Sequence, residues 1–80
     1  MGDKMLTARR TRARDVRRYL ALYLDMLDPT IWDGAAQAAV PVTDLQRNSR
    51  EQNAAHWLAE AQASLSALTE LHVRVQEGRT

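Results

Sequence analysis

Apolar residues recur at helical spacing in two long segments, which a short irregular middle separates. In the first segment the steps between apolar positions alternate between three and four residues, as on one face of an α-helix. These positions are Ala13, Val16, Leu20, Tyr23 and Leu27. The pattern predicts a first helix over residues 7–28, preceded by a flexible stretch over residues 1–6.

The first helix carries more apolar surface than one neighbouring helix can cover. Tyr19, Leu22 and Met26 form a second stripe beside the first one, and Leu24 widens the other side. Exposed apolar flanks of this kind mark surfaces that another element covers. We therefore expect Leu22, Leu24 and Met26 to pack against something beyond the second helix.

The second long segment has a heptad-like seam of apolar and small residues. Its members are Ala54, Leu58, Ala61, Leu65, Leu68, His72 and Val75, and Trp57 widens it. Thr43 with Gln46 forms a capping-box pattern, so we predict a helix over residues 43–77. A second such pattern at Ser49 leaves open a later start or an irregularity there, and Gly78 is a natural stop before a tail over 78–80.

The middle, residues 29–41, is predicted to be a connector with a short helix. Asp28 is a good N-cap, Pro29 suits the first helical position, and Pro41 would end the helix. Its core-facing residues would be Ile31, Trp32, Ala35 and Ala39. The whole chain, 1–80, then forms one all-α domain, an antiparallel helical hairpin that completes a bundle by oligomerisation or partner docking.

Composition agrees with a small folded domain. The chain has 80 residues, of which 45% are hydrophobic and 26% charged, and no cysteine. A solitary core in so short a chain is marginal, and no disulfide can reinforce it. The longest apolar stretch, Tyr19 to Leu27, is too short to span a bilayer, and no secretory signal is visible. We expect a cytoplasmic protein without a membrane partner.

The net charge of +1 hides an asymmetry between a basic start and an acidic remainder. Four arginines fall on one face of the first helix and are called the arginine ridge below: Arg10, Arg14, Arg17 and Arg18. With Arg9 and Arg12 they are the candidate contacts for an acidic protein surface or for nucleic-acid phosphates. The alternative is a solvated helix face without a partner.

The sequence offers little for catalysis. His56 and Glu60 share a helix face but lack a third metal ligand, and His72 lies in the apolar seam. Three glycines cannot build a phosphate-binding loop here, and no Ser–His–acid set stands out. We expect no enzyme activity, no cofactor and no metal.

Trp32-Asp33-Gly34, followed by alanines, resembles the turn motif of the Trp-x-Gly family of small secreted helical hairpins. The resemblance implies dimerisation and specialised secretion, with Trp32 and Gly34 structural at the turn. Pro41 departs from that pattern, in which the second helix continues without interruption. No tyrosine follows Tyr23, so the family's C-terminal export signal has no counterpart.

The sequence thus favours a non-enzymatic protein–protein interaction module: an adaptor, assembly subunit or inhibitor with a protein partner or a second copy. The predicted helix-packing interface consists of Leu22, Leu24, Met26, Trp32, Trp57, Leu58, Leu65 and Leu68. The alternative is a nucleic-acid-associated protein that contacts phosphates through Arg9–Arg18, and a secreted Trp-x-Gly-like hairpin is a further one.

Overall fold

Two long helices and a two-stranded sheet make up the chain, in a computed structural model that describes residues 2–78. Helix α1 spans Gly2–Met26, strand β1 Thr30–Asp33, strand β2 Ala38–Pro41 and helix α2 Asp44–Glu77. The protein is mostly helical, as its sequence predicts, but it is not all-α. Of the predicted tail, residues 79 and 80 lie outside the described part.

Helix α1 is longer at its start and shorter at its end than predicted. It already begins at Gly2, five residues before the predicted start at residue 7. It stops at Met26, and the next two amides donate to carbonyls three residues back, Leu27 to Leu24 and Asp28 to Asp25. Because Pro29 follows, Asp28 is pushed out of the helical region and the helix cannot continue.

The predicted capping box at the start of α2 is confirmed. The Gln46 amide donates to Thr43 Oγ1 at 3.2 Å, and the Thr43 amide donates to Gln46 Oε1 at 2.8 Å. The helix runs without a break through Asn48 and Ser49, so the second pattern at Ser49 starts nothing. At the other end the Gly78 amide donates to the Arg74 carbonyl at 3.0 Å.

The predicted short connector helix is wrong, because residues 30–41 form an antiparallel β-hairpin. Thr30 pairs with Pro41 and Ile31 with Val40. The turn is held by Asp33 Oδ1, which accepts from the Ala35 amide at 2.9 Å, and by Gln37, whose φ of 54° reverses the chain. β-Branched residues favour paired strands. Pro41 has no N–H to donate, but both strands of a two-stranded sheet are edge strands, and proline is tolerated there.

The hairpin also changes which connector residues are buried. Ile31 and Val40 are half-buried, and Ile31 lies against the first turns of α2 beside Gln46 and Arg50. Trp32 lies on the opposite side of the strand and is 67% exposed. Ala35 and Ala39 are exposed as well, so of the four residues expected to face the core only Ile31 is partly covered.

Small residues of α2 let the two helices approach closely. Ala54 and Ala61 are 2% and 3% exposed, and Ser64 is buried with them. At the same contact Tyr19 of α1 stacks on Trp57 of α2, with ring centroids 5.9 Å apart and planes 16° from parallel. Further along, the start of α1 lies beside the end of α2, where Leu6 and His72 line one groove.

The molecule is a thin, elongated layer. It measures 60 × 22 × 12 Å, and its shortest dimension is about the diameter of one helix. Its radius of gyration is 18.0 Å, whereas a compact domain of this length has about 12 Å. Its accessible surface is 6370 Å², against about 4,900 Å² for a typical monomer of this mass. The layer therefore buries only the facing edges of its two helices.

Arg50 fastens the start of α2 to the end of α1. Its guanidinium Nη2 donates to the Asp25 carbonyl and, at 3.5 Å, to the Asp28 carbonyl. Carbonyls at a helix C-terminus carry partial negative charge, so a cation there is favourable.

Replacing Arg50 with Gln should lower the free energy of unfolding by about 1–2 kcal/mol, because charge-assisted hydrogen bonds to these carbonyls are lost. The matched control is Arg47→Gln, since Arg47 makes only an exposed pair with Asp44 at 3.6 Å. The control should change stability by less than about 0.5 kcal/mol. Denaturant unfolding at equal protein concentration measures both, and equal effects would contradict a capping role for Arg50.

Asp28 forms the turn that leads into β1. The Thr30 amide and the Thr30 hydroxyl both donate to Asp28 Oδ1, at 3.0 and 3.1 Å. These two hydrogen bonds, with a smaller contribution from the nearby Arg50 charge, hold the pKa of the Asp28 carboxyl below its usual 3.8.

The lowered pKa means that ionised Asp28 stabilises the folded state above the usual pKa, and that this stabilisation is lost as the pH falls through the folded-state pKa. Thr30→Val removes the hydroxyl bond and keeps the amide bond. We expect it to raise the Asp28 pKa part of the way towards 3.8 in an NMR carboxyl titration. An unchanged pKa would show that the hydroxyl does not contribute.

Candidate interaction surface

A row of exposed apolar residues runs along α1 beside its contact with α2. Leu6, Ala13 and Leu20 follow one another at intervals of seven residues, which places them on one side of the helix, and Leu27 comes seven residues later, just past the last residue of α1. Leu24 lies next to this row and is 67% exposed. The residues of α1 that the second helix partly covers form a different stripe: Val16, Tyr19, Leu22, Tyr23 and Met26.

Helix α2 has a matching exposed row. Leu58, Leu65 and His72 also follow one another at intervals of seven, and Leu65 is 50% exposed. The residues of α2 that face α1 lie one step around the helix, at Ala54, Ala61 and Leu68.

Both rows lie on the same side of the layer. Leu6 and Ala13 line an open groove of about 500 Å³ together with Thr69 and His72 of α2. Because Tyr19 stacks on Trp57, the next residues of the two rows, Leu20 and Leu58, lie at the same level. One surface, called the leucine face below, thus consists of Leu6, Ala13, Leu20, Leu24, Leu27, Leu58, Leu65 and His72.

On α1 the other side of the layer is polar. On α1 the row displaced by about half a turn from the leucine face is Lys4, Thr11, Arg18 and Asp25, and all four are exposed. The asymmetry indicates that one side of the layer is suited to packing and the other to water.

The predicted packing residues fall into three groups. Leu24, Leu58 and Leu65 belong to the leucine face, and Leu68 is half-buried in its groove. Leu22, Met26 and Trp57 are half-buried along the stripes that face the other helix, so Leu22 and Met26 are partly covered within the chain itself. Trp32 stands apart on the outer side of the hairpin.

The arginines differ in exposure. Arg10, Arg12, Arg14, Arg17 and Arg18 are exposed, with no ion pair among the described residues. Arg9 is half-buried at the groove, and its Nε is buried without a hydrogen-bond partner.

Three members of the arginine ridge border the leucine face, whereas Arg18 belongs to the polar row. Arg10, Arg14 and Arg17 surround Ala13 in a second shallow groove, so the charges lie along the outer edge of α1. An apolar surface with a charged rim is the usual anatomy of a protein–protein interface.

The histidines are engaged locally. His56 meets the Trp57 ring edge-on, with centroids 4.8 Å apart, and the Nε2 atoms of His72 and Gln76 are 3.3 Å apart. Within residues 2–78, no group of three or more His, Asp or Glu side chains is placed to hold a metal ion.

Sequence reasoning missed two features of the structure. It did not separate Leu6, Ala13, Leu20 and Leu27 as a row of their own, although their seven-residue spacing was a readable signal. It gave Arg50 no role, because a contact with carbonyls 22 to 25 residues away leaves no local pattern.

No known protein family, curated protein or solved structure shows a significant match to this chain. Neither α1 nor α2 combines the length and the apolar character that a membrane-spanning helix requires.

Proposed function

We propose that this chain is a non-enzymatic protein–protein interaction module, an antiparallel helical hairpin that supplies half of a helical bundle. The observation that carries the proposal is the leucine face, a continuous apolar surface on one side of a layer one helix thick. Domains are normally built from at least two packed layers, and this chain supplies one. Adaptors, assembly subunits and inhibitors all work through surfaces of this kind.

The free energy available from covering the leucine face is large for so small a protein. Its leucines are between 37% and 67% exposed. Complete burial of one leucine side chain contributes about 1.5–3 kcal/mol, so half-burial of six contributes several kcal/mol in sum. That amount is comparable to the whole stability of a small domain.

The arginine ridge restricts which surfaces can pair with the leucine face. Charges on an interface rim mainly affect the rate of association and the choice of partner. The exposed arginines along the edge of α1 therefore favour a surface without positive charge opposite that edge.

Leu20→Gln combined with Leu65→Gln should weaken association about tenfold or more, because both side chains lie on the leucine face. The control is Leu45→Gln, which changes an 81% exposed leucine on the other side of α2 and should have little effect. Light scattering over a range of concentrations gives the mass of each full-length variant.

The proposal is overturned by a wild-type protein that stays monomeric, unfolds cooperatively and retains no stoichiometric partner when purified gently from the cells that make it. A double variant that associates as tightly as the wild type overturns it as well.

Phosphate binding by the arginine ridge is the second candidate, favoured by the exposed arginines that lack an ion pair. Replacing Arg10, Arg14, Arg17 and Arg18 with Gln keeps helix propensity nearly constant and leaves the leucine face intact. If nucleic acid is the ligand, the logarithm of the affinity falls linearly with the logarithm of the salt concentration. The slope should shrink by about one unit per contact removed. Absence of binding by the wild type near ~50 mM salt excludes this candidate.

A further inference from the structure

We propose that the leucine face is covered by a second copy of this chain, related by a two-fold axis that runs along the helices. Each α1 then lies on the partner's α2, and both β-hairpins lie at the same end of a four-helix bundle. This inference rests on the proposed function and names the partner and its orientation.

The size of the face suits such a pairing. The broad side of the layer measures 60 × 22 Å, so two layers face to face bury on the order of 1,000 Å² per partner. A standard stable interface buries about 800 Å² per partner. Two layers also give the four-helix cross-section that one layer lacks.

The charges of the two helices favour α1 on the partner's α2. Helix α1 carries seven basic and three acidic residues, whereas α2 carries three basic and five acidic residues. Opposite net charges then meet in both halves of the dimer. A two-fold axis across the helices would instead place α1 on α1 and α2 on α2, so that like charges meet twice.

The arginine ridge opposes that second arrangement directly. Arg10, Arg14 and Arg17 lie on the outer edge of α1, so stacking α1 on α1 brings both ridges along one edge. Close like charges across an interface are unfavourable. In the proposed arrangement the ridge faces the outer edge of the partner's α2, where Gln62 and Ser66 are exposed and uncharged.

At one level of the proposed dimer a small side chain of the face meets a large one, and at the other two levels both side chains are large. A two-fold axis along the helices leaves each residue at the same position along that axis. Each α1 residue therefore meets the residue of the partner's α2 that lies level with it within one chain. Leu20 lies level with Leu58, and Leu6 with His72. Ala13, midway between Leu6 and Leu20, then lies level with Leu65, midway between Leu58 and His72. A small residue thus faces a large one, as interdigitating layers require.

The orientation can be measured with one spin label per chain. The chain has no cysteine, so Ala36→Cys in the exposed hairpin turn gives a unique labelling site. The proposal predicts a dimeric mass and a label–label distance well under half the 60 Å length of the layer. Light scattering on the labelled protein checks that the label leaves the dimer intact.

Three results overturn the proposal and differ in what they say about the proposed function. A dimer with a distance near the full length has the other two-fold axis, and the interaction module stands. A monomer whose leucine face binds a different protein refutes the second copy and leaves the module intact. A cooperative monomer without any partner refutes both.

A charge added to α2 tests the orientation by the sign of its effect. Gln62→Glu puts a carboxylate where the partner's ridge is proposed to lie, and it should tighten dimerisation about two- to fivefold at low salt. Ala63→Glu adds the same charge on the far side of α2 and should have little effect. If α2 instead lies on α2, Gln62→Glu brings like charges together and weakens the dimer, which overturns the proposal.

Discussion

A layer one helix thick can bury only the edges along which its helices touch, and the other features of this structure follow from that constraint. The contact itself is tight, because Ala54, Ala61 and Ser64 let α1 come close and Tyr19 stacks on Trp57. The contact buries these small residues of α2 against one stripe of α1, and the leucines beside that stripe remain about half exposed to solvent. The helices thus hold each other in place but cannot enclose a core. An apolar side that is continuous over both helices is the direct result.

The hairpin end of the layer is fixed mainly by polar interactions. Arg50 donates to the last carbonyls of α1, Asp28 accepts both hydrogen bonds from Thr30, and the Val42 amide donates to the Pro29 carbonyl at 3.0 Å. Together these bonds close the junction through which the chain passes from helix to hairpin and back. Val42, 8% exposed, is the apolar residue buried in this junction. The hairpin is therefore anchored at its base, and Trp32 on its outer side is exposed.

Most of the helical structure could be predicted from the sequence, since periodicity, the capping box of Thr43 and Gln46, and Asp28-Pro29 are all local signals. The hairpin could not be predicted, because two four-residue strands are stable only when they are paired and anchored. The alanines of the turn are also typical of a short helix. Periodicity also showed two adjacent apolar stripes on α1 without showing which one meets α2. That choice depends on which positions of α2 carry small side chains, and the stripe with Tyr19 and Leu22 packs opposite those positions. Gly34, the glycine of the Trp-x-Gly resemblance, has no atom within 4 Å of where a Cβ would lie, so the hairpin does not require glycine there.

Several exposed arginines on one face of α1 repel one another. This cost is not offset within the chain, because the ridge has no carboxylate partner among the described residues. Arg10, Arg14 and Arg17 nevertheless lie along the edge of the leucine face and do not interrupt its row of seven-residue steps. A charge placed at the rim of an apolar surface leaves the burial energy of that surface unchanged and penalises partners that bring positive charge to the same edge. In the proposed interaction the leucine face supplies the strength, and the ridge restricts the geometry.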